Sequence, residues 1–210
     1  MAANGKAADD GRVSDLANTV NARLEEARGF GATRRWWPGW YYGPAPLSDQ
    51  PSRQNNMGTP VQLWVPLWVP HDVIIDRIAL EITTGVPAGP VVTLAIYDSN
   101  ALDQPKNLVL TAGTIDPTSN GIKQITISHS LTRGVWWLSM HATDQVKYRG
   151  MSGAPFPMTT PSGAPYASNP YNGFSKSGNP TLFDPAPSAN LPIENSPVFT
   201  APYITVRAAV

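Results

Sequence analysis

The 210-residue chain reads as all-β, an antiparallel β-sandwich with one N-terminal α-helix and a long Pro-rich loop insertion. Three observations predict this. From Val61 onward, apolar and polar side chains alternate in short runs, the period of half-buried strands. Clusters of Gly, Pro, Asn and Asp separate these runs at intervals of about 8–12 residues, as in sandwiches and barrels. Charged residues are only 14% of the chain, against roughly 25% in an average domain, and there are 22 prolines. Low charge with 41% apolar residues supports a real core, and abundant Pro marks irregular connections typical of β proteins.

Residues 1–9 are small and polar and are expected to lack structure on their own. From Asp10 to Arg28 the period becomes helical. Val13, Leu16, Ala17, Val20, Leu24 and Ala27 form one stripe at spacings of three and four, with Asp10 or Ser14 as cap and Gly29 beyond the last turn. Such a helix is marginal alone, so its stripe (above all Val13, Leu16, Val20 and Leu24) needs a partner. The partner is either the chain's own sandwich or another subunit. We therefore divide the chain into an arm (1–35), an aromatic and Pro-rich linker (36–60) and a sandwich (61–210) with an insertion at 149–202.

The linker opens with RRWWPGWYY, in which Trp36, Trp37, Trp40, Tyr41 and Tyr42 surround a Pro38-Gly39 turn signal. Three readings compete. These rings plug the end of the sandwich, or anchor another protein as Trp, Tyr and Arg do at interface hot spots, or stack on a sugar or base. Val61, Leu63, Val65, Leu67 and Val69 then alternate with Gln62, Trp64, Pro66 and Trp68. Pro66 lacks an N–H, which places that strand at an edge or bulge. In VIIDRIALEITT the pattern puts Ile74, Ile78, Leu80 and Ile82 on one face, interrupted by Asp76. VVTLAIYD, a short strand at Leu108–Ala112, KQITIS and LTRGVWWLSMHA follow, each preceded by turn residues. In the last, period two sends Trp136, Leu138 and Met140 to one face, the core, and Trp137 to the other. Trp137 is expected either beneath the 149–202 insertion or at a subunit contact. That insertion holds 11 of the prolines, yet Tyr166, Tyr171, Phe174, Phe183 and Phe199 predict partial order by packing. Tyr203–Ala208 alternates again and is expected to return to the sheet.

Several chemistries lose support at this level. Lys+Arg and Asp+Glu balance at 15 each, so no global field favours nucleic acid or an anionic membrane. No run approaches the roughly 20 apolar residues of a membrane helix, and the first residues lack the apolar core of a secretory signal. With no cysteine there are no disulfides, thiolate metal sites or Cys nucleophiles. His71, His129 and His141 do not have metal-pair spacing, and no phosphate-loop, dinucleotide or serine-hydrolase glycine pattern occurs. Nothing pairs two carboxylates for glycoside hydrolysis. The expectation is no catalytic residue, no metal and no cofactor.

The ordered set of Val69-Pro70, IDRIALEITTG, LAIYD, NLVL and LTRGVWWLSMHA resembles the β-sandwich modules of tailed-bacteriophage virion proteins of the fibre and decoration type. The resemblance covers Val61–Ala142 and the final strand. It implies a jelly-roll-like, non-enzymatic virion component, commonly a homotrimer, attached to other virion proteins through its N-terminal segment. The same strand pattern occurs in carbohydrate-binding jelly rolls, so the alternative is a module that binds host-surface glycans through Trp and Tyr faces.

Overall fold

The strands build two antiparallel sheets, and no helix occurs among the described residues. The computed structural model describes residues 36–44, 53–56, 61–101, 103–151, 173–177, 181–183 and 201–210. All of them belong to one unit, Trp36–Val210. The helix expected over Asp10–Arg28, with its stripe Val13, Leu16, Val20 and Leu24, lies outside the described residues. In chain order the strands are β1 (Tyr41–Tyr42), β2 (Arg53–Asn56), β3 (Val61–Val69), β4 (Val73–Thr84), β5 (Val92–Ser99) and β6 (Pro105–Ile115). They continue as β7 (Gly121–Leu131), β8 (Gly134–Ala142), β9 (Lys147–Met151), β10 (Phe174–Ser177), β11 (Ala201–Pro202) and β12 (Thr205–Ala208).

Sheet A is centred on β4. β7 pairs along one side of it; β12 and β9 share the other side, β12 from Ile75 to Ala79 and β9 at Ile82 and Thr84. β1 extends this sheet beyond β12, and β2 and β11 pair with β9. Sheet B runs β10-β3-β8-β5-β6. One apolar cluster draws on both sheets. From sheet B come Val61, Leu63, Val65, Leu67 and Val69, with Leu138 and Met140; from sheet A come Ile75, Ile78, Leu80, Ile82 and Val206. Each such side chain stabilises the fold by roughly 1.5–3 kcal/mol on full burial, so the strict alternation of β3 sets its register. β10 covers β3 only from Val61 to Trp64, which leaves Pro66 on the part of that edge with no second described strand beside it.

β4 corrects the expected pattern. Ile74 does not share a face with Ile78, Leu80 and Ile82: it is 54% exposed, and Ile75 is buried instead. Pairing with both β7 and β12 shifts register around Asp76. An irregularity of one residue inverts a period-two pattern, so Ile75 points inward before it and Ile78 after it. Asp76, which interrupted the apolar face in the sequence, marks the place.

The two tryptophans of β8 do lie on opposite faces, but their depths are the reverse of a core-first reading. Trp136 is partly buried against the shared core, its indole Nε1–H donating to Thr132 O (2.8 Å). Trp137 is 1% exposed. The reason lies in Phe174, Leu182 and Phe183, from the Pro-rich insertion, which pack with Trp137 and Trp64 on the outer face of sheet B.

Candidate functional site

Two groups of aromatic side chains bear on function, one at the edge of the shared core and one on the outer face of sheet B. The first is the RRWWPGWYY segment, whose five predicted binding residues the structure sorts into two groups. Trp36 is buried and stacks on Tyr42, with ring centroids 4.4 Å apart and planes within 1°. Its backbone N–H donates to His71 Nε2 (3.0 Å), and His71 Nδ1 lies 2.9 Å from Asp72 O. These two bonds select the neutral tautomer that carries its proton on Nδ1. The Trp37 N–H donates to the Tyr42 hydroxyl. Tyr42 continues inward to the shared core. Trp36 and Tyr42 therefore serve the fold.

Trp37 and Trp40 point the other way, each 66% exposed, and Tyr41 is 40% exposed. Trp40 N–H donates to Trp37 O (3.1 Å), closing a four-residue turn. Pro38 takes its second position, where a φ near −65° is needed, and Gly39 its third with φ 79°, the geometry of a type II turn. The turn is tied to the sheet as well: Gly39 N–H donates to Ala208 O (2.9 Å), and Ala208 N–H to Trp40 O (3.1 Å). The Tyr41 hydroxyl donates to Gln124 Oε1 (2.6 Å) on β7, so that side chain reaches across β12 and β4. Two exposed indoles thus sit on a turn that has little freedom to move them.

In the second cluster, on the outer face of sheet B, sequence reasoning singles out Trp137 and the insertion aromatics Phe174 and Phe183, and misses Trp64 and Tyr97. Trp64, Ala95, Tyr97, Trp137 and Phe174 are buried together, with Leu182 and Phe183 packed against them. Trp137 lies 5.2 Å from Phe174 between ring centroids, and Trp64 6.0 Å from Phe183. Polar groups fasten the cover. Phe183 N–H donates to Gln62 Oε1 (2.9 Å), and Phe183 O accepts from the Tyr97 hydroxyl. Gln62 Nε2 donates in turn to Tyr97 Oη (2.9 Å) and Ser139 Oγ (2.6 Å). Trp64 Nε1 is buried without a hydrogen-bond partner. The available signal was Gln62 in a strand otherwise apolar or aromatic on both faces, since a buried amide needs specific partners.

Two ion pairs brace sheet A. Arg207 grips Asp76 through Nε (2.8 Å) and Nη2 (2.6 Å), and Arg149 grips Glu81 through Nε (2.9 Å) and Nη2 (2.7 Å). These charge-assisted hydrogen bonds hold both carboxyls below their usual range and raise both guanidinium values. Asp116 is lowered by the backbone N–H and hydroxyl of Thr118. Asp72 Oδ1 accepts from the Arg133 backbone N–H (2.9 Å). Among the described residues, no group of three or more His, Asp or Glu side chains is placed to hold a metal ion. Comparison with known proteins returns no matching family model, no matching curated protein and no matching solved structure.

Proposed function

We propose that this chain is a non-enzymatic structural subunit of a bacteriophage particle, a capsid decoration or fibre protein with a jelly-roll-like sandwich. In this reading the sandwich is displayed outward, and residues 1–35 with the adjoining turn attach it to other virion proteins or to sister subunits. The observation that carries an assembly role is the pair of exposed indoles, Trp37 and Trp40, on a turn pinned to β12. Exposed aromatic rings on a backbone already fixed need little backbone ordering on binding, and such residues concentrate interface energy. The virion assignment rests on the strand-order resemblance, and with it comes a homo-oligomer, a trimer in particular. The test is mass spectrometry of purified particles from a host that carries this sequence, followed by electron microscopy with an antibody to the sandwich. Detection at stoichiometric levels supports the proposal, and consistent absence sinks it.

A second reading uses the same two rings as a stacking platform for a host-surface glycan. Trp36 is buried and Tyr42 faces the core, so the informative changes are Trp37→Ala and Trp40→Ala. A glycan array probed with the full chain and these variants decides: oligosaccharide binding abolished by either substitution favours this reading.

A further inference from the structure

We infer that the outer face of sheet A binds a sugar bearing a carboxylate, held by Arg77 with Tyr41, Gln124 and Thr126 around it. The inference deepens the glycan reading above and rests on it for the kind of ligand, while moving the site from the turn to the adjoining sheet.

Strand pairing puts these residues on one face. Tyr41 lies opposite Arg207, Arg207 opposite Arg77, and Arg77 opposite Thr126, a single row across β1, β12, β4 and β7. Directly opposed residues of antiparallel strands point to the same side. The next row, Val206, Ile78 and Ile125, packs into the shared core, so the Arg77 row faces outward. Gln124 is opposite Ala79, two residues along β4 from Arg77, and so shares that outer face. Tyr41 donates its hydroxyl proton to Gln124 Oε1 three strands away, a span of roughly 14 Å at about 4.8 Å per strand. Its ring therefore lies along the sheet, across β12 and β4, and is 40% exposed.

Charge is out of balance in this row by one. Arg207 takes both oxygens of Asp76. Arg77, partly exposed, makes one side-chain hydrogen bond among the described residues, from Nη1 to Asp76 O (2.8 Å). Two guanidiniums directly opposite each other thus share one carboxylate, and like charges so placed are unfavourable. A guanidinium has five N–H donors in a planar fork that matches a carboxylate, and most of those on Arg77 are uncommitted. Donors for hydroxyl oxygens stand beside it. Gln124 spends Oε1 on Tyr41, which leaves Nε2; among the described residues neither that nitrogen nor the Thr126 hydroxyl has a hydrogen-bond partner.

These groups select the ligand. One unbalanced positive charge suits one carboxylate. A polyanion such as nucleic acid finds no wider field, since the chain carries 15 basic and 15 acidic residues. An acidic peptide needs main-chain partners, yet β12 and β4 are each paired on both sides. A sugar acid uses what is present: its carboxylate on Arg77, its hydroxyls on Gln124 and Thr126, and its C–H surface on the Tyr41 ring.

The experiment is an array of uronate- and sialate-bearing oligosaccharides beside their carboxyl-reduced counterparts, probed with the full chain, with calorimetry on each sugar bound. Wild type is compared with Arg77→Gln, Thr126→Val, Lys106→Gln and Trp37→Ala/Trp40→Ala, and circular dichroism confirms that each is folded. Lys106→Gln controls for charge alone, since Lys106 is an exposed cation on β6 of the other sheet. We expect wild type to bind acidic sugars in preference to their reduced forms, and more weakly as salt rises. The dissociation constant rises at least about tenfold in Arg77→Gln, as for a lost charge-assisted hydrogen bond, and about threefold in Thr126→Val. It is unchanged in Lys106→Gln and in the turn variant. Binding that ignores the carboxylate overturns the inference, and so does binding that Arg77→Gln leaves intact. Acetate or a glutamate peptide that competes as well as the sugar, carboxylate for carboxylate, overturns the saccharide in favour of a bare anion or an acidic peptide. Sugar binding lost only in the turn variant overturns this site and leaves the glycan reading standing on Trp37 and Trp40. Binding of no sugar at all sinks both.

Discussion

Tyr97 donates its hydroxyl proton to Phe183 O and accepts from Gln62 Nε2, so one oxygen links the cover over sheet B to the strand beneath. Tyr97→Phe keeps the ring and its edge-on contact with Trp64, 5.9 Å between centroids. It leaves Gln62 and Phe183 O each without one partner. The expected loss is about 1–3 kcal/mol in urea unfolding. A loss under about 0.3 kcal/mol would mean that water replaces the hydroxyl freely. The tryptophans offer a contrast between identical side chains. Trp137→Ala removes a ring that is 1% exposed and should cost about 3–5 kcal/mol. Trp37→Ala removes one that is 66% exposed and should change unfolding by no more than about 0.5 kcal/mol. Both are measured at the lowest workable protein concentration, so that self-association does not enter. At this scale the sequence showed that Trp136 and Trp137 part to opposite faces. The depth of Trp137 depends on Phe174 and Phe183, which no local period reports.

The attachment of β10 to β3 depends on close backbone approach. A Cβ at Gly173 would lie 2.1 Å from Trp64 O, far inside contact distance, and the obstacle is backbone rather than a movable side chain. Gly173→Ala should therefore loosen β10 from β3 while β5 and β8 keep their pairing. Hydrogen-exchange mass spectrometry should show faster exchange at 174–177 and 183, with β5 and β8 protected as in wild type. Uniform loss of protection would instead show that β10 is integral to the whole fold. For β4 the phase was legible at Ile78, Leu80 and Ile82 and failed at Ile74, on the far side of the register shift. A shift of one residue inverts the pattern on one side of it relative to the other, here at Ile74 and Ile75, and the shift is present in the pairing with both β7 and β12. Asp76 at a nominally core position was the one visible sign. The 149–202 segment read as an insertion because of its prolines; of its aromatics Phe174 and Phe183 pack as expected, and Tyr166, Tyr171 and Phe199 lie outside the described residues. The strands within it were hidden because four-residue and two-residue pairings carry no period.

For the whole molecule, acid stability follows from the two bidentate pairs that lace sheet A together, Asp76 with Arg207 from β4 to β12 and Glu81 with Arg149 from β4 to β9. Both carboxyls titrate lower in the folded chain than in the unfolded one. The unfolded state therefore takes up protons first as pH falls. The contribution of these pairs is complete above the ordinary Asp and Glu values, near pH 4, and is lost as pH drops through the folded values. Both pairs are partly exposed, so the effect is modest and weakens with salt. Urea midpoints should be level from about pH 7 to 5 and decline below about 4. The Asp76→Asn/Glu81→Gln variant should show a shallower decline. An identical decline in the variant would place the acid sensitivity elsewhere, for instance at Asp116.

By itself the sequence determined the all-β class, the strand that lays Val61, Leu63, Val65, Leu67 and Val69 on one face, and the aromatic turn as a candidate site. These follow from period, turn chemistry and φ preferences, which act over a few neighbouring residues. Tertiary structure alone decided which rings of that turn are buried, which face of β4 carries Ile74, and what covers Trp137. Each depends on partners far along the chain: His71 and Ala208 for the turn, β7 and β12 for β4, and Phe174 and Phe183 for Trp137. Burial is a property of the pair that meets, and the meeting is set by the fold.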